Sequence, residues 1–123
     1  MHSAVEAMKR VLKRLGIQTD VRLEDAYDGE AGEKMVDFHQ LGYCIEPTEI
    51  KVPRIGGTRV LKGWQVHQAE PEYNYPHAPD GVDIVPRGEP FPNLHAAFAQ
   101  IVGWHMEEVA LEIMGMEVSD GHE

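Results

Sequence analysis

Residues 48–68, "TEIKVPRIGGTRVLKGWQVHQ", constrain the fold more than any other stretch of the chain. Two runs rich in Ile, Val and Thr flank the pair Gly56–Gly57, a pattern that predicts a β-hairpin. Its register can be argued, because side chains alternate with a period of two and a one-residue slip exchanges the faces. A two-residue Gly56–Gly57 turn sets Ile50 and Val52 opposite the face of Val60, Trp64 and Val66. A three-residue loop, Gly56 to Thr58, gathers all five on one face, so the hydrophobic pattern predicts that loop. Leu61, Gln65 and His67 then point to the other face. Pro53 has no backbone donor, which predicts an edge position for the first strand.

A lone hairpin is marginal in water and needs an apolar cover. Both ends of the chain supply one. Ser3 and Glu6 fit an S-x-x-E capping box, and Val5, Met8, Val11, Leu12 and Leu15 follow at helical spacing. Gly16 suits a left-handed C-cap with Ile17 folding back as its hydrophobic contact. Lys9, Arg10, Lys13 and Arg14 lie off the stripe and give this helix a basic outer face. At the other end Asn93 predicts the cap of a long helix over residues 94–114, with Gly115 as its stop. Leu94, Phe98, Ile101, Val102, His105, Val109, Ile113 and Met116 fall on one side of it.

Between these elements the pattern is less decisive. Val21 and Leu23 can start a short strand, whereas "AYDGEAG" reads as loop. In residues 35–42, Met35, Phe38 and Leu41 suit a short helix ended by Gly42, and Val36 and Phe38 equally suit a strand. Tyr43, Cys44 and Ile45 favour strand, and "GVDIVP" gives another. The expected fold is α+β: an N-terminal amphipathic helix, a three- to four-stranded mainly antiparallel sheet, and a long C-terminal helix packed on one sheet face. Residues 1–123 form a single domain in this reading.

Charge narrows the function. The formal net charge is −10, with nine acids against Arg22 and Lys34 in residues 17–49 and four bases without an acid in residues 50–63. That balance repels nucleic-acid phosphates overall. The helix–strands–helix order is shared with double-stranded-RNA-binding domains, but the last helix carries Glu107, Glu108 and Glu112 and no lysine or arginine, which argues against RNA binding there. The single cysteine, Cys44, forms no disulfide within one chain and sits in an apolar "YCI" run expected to be inert. No stretch reaches the roughly 18 apolar residues of a membrane span. A cytoplasmic location follows as the expectation.

Chemistry has few candidates. His105 lies in an apolar stripe with Glu108 and Glu112 on its flank, an arrangement open to a metal ligand or a general base, though a core histidine donating one hydrogen bond to Glu108 or to a backbone carbonyl explains it more plainly. His67 and His77 with Asp80 or Asp83 would suit zinc or a non-haem iron, yet their spacing matches no dedicated motif. Tyr73 and Tyr75 in "PEYNYPHAPDG", with Trp64, form an aromatic wall for a partner or a proline-stiffened connection. No phosphate-binding glycine loop precedes a helix, and no G-x-S-x-G is present.

The leading expectation is a small acidic interaction protein that binds a larger protein with a basic or mixed-charge surface. Asp20, Glu24, Asp25, Asp28, Glu30, Glu33 and Asp37 would steer association, and an open sheet edge would permit a homo-oligomer. Small acidic domains without catalytic motifs are frequent among inhibitors and accessory factors of bacteriophages and mobile elements, a class-level analogy. The rival expectation is a metal-assisted hydrolase or small-ligand binder using His67, His77, Asp80 and His105 with a divalent metal.

Overall fold

The computed structural model describes residues 2–26, 33–69 and 84–120, with side chains through 116. The elements run α1 (His2–Leu15), β1 (Val21–Asp25), β2 (Lys34–Phe38), a 3₁₀ turn (His39–Leu41), β3 (Tyr43–Arg54), β4 (Gly57–Ala69), β5 (Ile84–Pro86) and α2 (Leu94–Asp120). The five strands form one antiparallel sheet in chain order, β1-β2-β3-β4-β5. The α+β class and both terminal helices agree with the sequence, and the sheet has one strand more than expected. Residues 35–42 divide between the two alternatives: β2 ends at Phe38 and the 3₁₀ turn follows, closed by Gly42.

The helices cover one face of the sheet. Val5, Met8 and Leu12 of α1 and Leu94, Ala97, Phe98 and Ile101 of α2 join Val21, Val36, Phe38, Tyr43, Ile45 and Val66 in one buried cluster. Phe98 stacks on Phe38 with ring centroids 5.7 Å apart. The α1 C-terminus is a complete Schellman cap: the Ile17 amide donates to the Leu12 carbonyl at 2.9 Å and Gly16, at φ 73°, donates to Lys13. Ile17 thereby enters the core, as its position after Gly16 predicts. Asn93 caps α2, its Oδ1 accepting from the Ala96 amide at 2.8 Å. Two helix ends differ from expectation. α1 already includes His2, so Ser3 lies within the first turn, and α2 continues through Gly115 to Asp120. One glycine costs only about 1 kcal/mol in a helix interior, which does not stop a helix of this length.

The hairpin register is the main correction. Arg54 pairs with Gly57, so the turn is Ile55–Gly56 and Ile50 faces Leu61 while Val52 faces Arg59. Ile50 and Val52 therefore share the face of Leu61, Gln65 and His67, opposite Val60, Trp64 and Val66. The physical reason is twofold. The turn needs its left-handed residue at the second central position, and Gly56 supplies it at φ 85°. Beyond Thr48 and Gly63 the hairpin leaves the core and is largely exposed on both faces, so no buried face selects the register there.

β3 is central in the strand order, yet only Tyr43, Cys44 and Ile45 pair with β2. Trp64 exchanges both backbone hydrogen bonds with Phe91, at 2.8 Å each, so its partner Pro47 turns its nitrogen away from β4. By the same parity Pro53 also turns its nitrogen outward, and its local edge position holds.

Candidate functional site

The sheet face away from the helices collects the polar buried residues. Alternation along β2, β3 and β4 places Asp37, Cys44, Glu46 and His67 there, with Asp37 beside Cys44 and Cys44 beside His67 in the ladder. Asp37 and Glu46 are buried, at 7% and 4% exposure. His67 Nδ1 lies 3.5 Å from Glu46 Oε2 and, among the described residues, makes no hydrogen bond. Burial raises the Cys44 thiol far above its ordinary range, and the carboxylates of Glu46, Asp37 and Glu24 add to the shift. Its thiolate is therefore disfavoured, as the apolar "YCI" run implies. A groove of about 920 Å³ opens beside this region, bordered by Glu46, Thr48, Leu61, Trp64, Gln65 and His67.

These groups do not assemble a metal centre among the described residues, where no three His, Cys, Asp or Glu side chains converge. His105 belongs to α2 and is half-buried on the helix-covered side, whereas His67 occupies the opposite sheet face. The sheet itself separates them. His77 and Asp80 lie outside the described residues, as do Tyr73, Tyr75, Asp28 and Glu30. Trp64 is half-buried, packed against the core and at the border of the groove.

The acidic segment is only partly a free surface. Asp20 accepts from Gln40 Nε2 at 3.0 Å and pairs with Arg22 at 3.2 Å; these contacts, the Gln40 bond first, hold its carboxyl below the usual range. Asp25 pairs with Lys34 at 2.6 Å, which lowers its carboxyl likewise. Glu24 and Glu33 are half-exposed, and Asp37 is buried, so Asp37 does not share the solvent-facing rim of the others.

A second cluster had no advance signal in the sequence. The Tyr43 hydroxyl donates to Glu108 Oε1 and accepts from Arg87 Nη1, while Arg87 Nη1 also reaches Glu108 at 3.0 Å. The Arg87 guanidinium lies 4.2 Å from the Trp104 ring centre, and Trp104 stacks on Tyr43 at 6.0 Å. Glu108 is thus tied to the sheet, and His105 does not take it as its partner in any hydrogen bond among the described residues.

The largest apolar exposure is elsewhere, in two projections. Of twelve exposed large hydrophobic side chains among the described residues, four lie on the β3–β4 arm (Val52, Ile55, Val60, Leu61) and five on the distal half of α2 (Met106, Leu111, Ile113, Met114, Met116). The arm also carries Lys51, Arg54, Arg59 and Lys62, and the distal helix carries Glu107, Glu108 and Glu112. No helix among the described residues is long and apolar enough to cross a membrane. Comparison with protein-family models, with curated proteins and with solved structures found no match to this chain, so the reading of its function rests on the geometry.

Proposed function

We propose that this chain is a small acidic interaction protein, an accessory or inhibitory factor that acts by binding a larger protein of mixed surface charge. One observation carries the reading: nine of the twelve exposed large hydrophobics are gathered on two projecting elements. Scattered apolar residues are ordinary on a surface, whereas contiguous ones bordered by charge mark contact sites. The charge division supports a mixed partner, since the arm is basic and the β1–β2 rim and distal α2 are acidic.

The test is affinity capture from a host lysate with wild-type protein, an Ile55→Ser/Val60→Ser arm variant, and a rim variant with Glu24, Asp25 and Glu33 reversed to Lys. A partner recovered by the wild type and lost from either folded variant supports the reading. Recovery undiminished by both sinks it.

A further inference from the structure

The two projections leave the domain at opposite ends, and the geometry points to a second copy of the chain as their common partner. In this arrangement the β3–β4 arm of one copy lies against the distal half of α2 of the next, head to tail. The inference rests on the reading of both projections as docking surfaces.

The directions follow from two anchors. Phe91, bonded to Trp64, delivers the chain into α2 at Leu94, near the base of the arm. Ten to fourteen residues later Trp104 and Glu108 meet Tyr43, the first residue of β3. Helix α2 therefore runs away from the Ile55–Gly56 tip, and its remaining turns pass the end of the sheet that lies opposite the tip. A helix of 27 residues is about 40 Å long, so arm and distal helix of one copy stand too far apart to cover each other.

Each projection has what the other lacks. His105, Glu108 and Glu112 continue the line of Ile101 along α2, whereas Met106, Ile113 and Met114 lie about 120–140° away from that line at 100° per residue. Met106 and Met114 thus point away from the direction in which the core was met, Ile113 lies at the margin of the apolar stripe, and all three are exposed. Glu107 lies on that side of the helix and Glu112 on the line of Ile101, so both flank the apolar residues, and no lysine or arginine follows Arg87. The arm offers the complement: Val52 and Leu61 with Arg54 and Arg59 on one face, Val60 with Lys51 and Lys62 on the other, and no acid from residue 50 to 63. Pairing α2 with α2 of another copy would set acid against acid, which the arm avoids. Contact between different surfaces is heterologous, and it propagates as a ring or an open chain.

Sedimentation velocity of the full chain across protein concentration, in low and high salt, tests this. The wild type should form oligomers beyond the dimer, with association weakened about tenfold or more at 0.5 M salt. Arg54→Glu/Arg59→Glu and Glu107→Lys/Glu112→Lys should each be monomeric, and mixing the two should restore oligomers in which the variants alternate, because the unaltered arm of one meets the unaltered helix of the other and the two reversed surfaces are again opposite in charge. Ile55→Ser/Val60→Ser provides an uncharged second arm variant, also monomeric. A monomeric wild type at the highest concentration overturns the inference, as does an arm variant that still self-associates. If that monomer nevertheless loses a captured partner on Ile55→Ser/Val60→Ser substitution, the reading of the arm as a docking surface survives while the second copy does not.

Discussion

The Tyr43 hydroxyl lies 2.5 Å from Glu108 Oε1, joining the first residue of β3 to the fourth turn of α2 across 65 positions of sequence. With Arg87 bonded to both and stacked on Trp104, this is where the long helix is fastened to the sheet beyond its apolar contacts. Burial pushes the Tyr43 hydroxyl well above its ordinary value near 10, and the bond to Glu108 adds to the shift. The folded state thus keeps its proton where the unfolded chain has lost it, and the associated stability, present below pH 10, declines as pH rises above that value. Tyr43→Phe should cost about 1 kcal/mol at neutral pH and flatten the alkaline decline, as read by urea unfolding from pH 8 to 11.

The two halves of α2 should respond differently to truncation. Ile101 is fully buried against the sheet, and Ile101→Ala should cost about 2–5 kcal/mol. Ile113 is half-exposed past the sheet, and Ile113→Ala should change stability by about 0.5 kcal/mol or less in dilute, high-salt buffer where copies are apart. Equal losses would show that the distal helix is covered within one copy.

The turn position can be checked at one residue. Gly56→Ala puts a side chain at φ 85° and should cost about 1–2 kcal/mol, read by thermal unfolding. A three-residue loop in which Gly56 is not left-handed would tolerate the change.

Gly63 tests the close crossing at the base of the arm. A Cβ there would lie 2.4 Å from Ile50 Cδ1 and 2.9 Å from the Phe91 carbonyl oxygen. Ile50 can give way but the carbonyl belongs to the backbone, so Gly63→Ala should destabilise by about 1–3 kcal/mol. Combining it with Ile50→Ala should recover only part of that loss.

Cys44 should resist thiol reagents in the folded protein, because it is buried and its thiolate is disfavoured by burial and by neighbouring carboxylates. Labelling at pH 8 should be slow in buffer and complete within minutes in denaturant.

The parts of this fold legible in the sequence are those in which local chemistry and burial agree. Gly16 followed by Ile17 announced a Schellman cap and a core residue together, and Asn93 announced a helix start. The hairpin itself was legible from its paired runs, but its register was not. Ile50 and Val52 select a register only where one face of the hairpin is buried, and the arm has no buried face past Gly63. Placement of His67 and His105 on opposite sheet faces was already implied by strand alternation and the α2 stripe. Arg87 and Trp104 gave no periodic or motif signal, since their roles arise only where β5, α2 and the start of β3 meet. Asp37 and Glu46 read as surface acids by type, and strand position alone decides that they are buried.

The two prolines of β3 give the arm a further property. An uncovered strand offers outward amides on alternate residues, here positions 47, 49, 51 and 53, and proline removes the donor at the first and last of these. A foreign strand aligned along that margin would find a broken ladder, with Lys51 adding charge between the gaps. That margin of the arm can therefore face solvent with little risk of templating amyloid-like growth. What docks along it is held mainly through side chains.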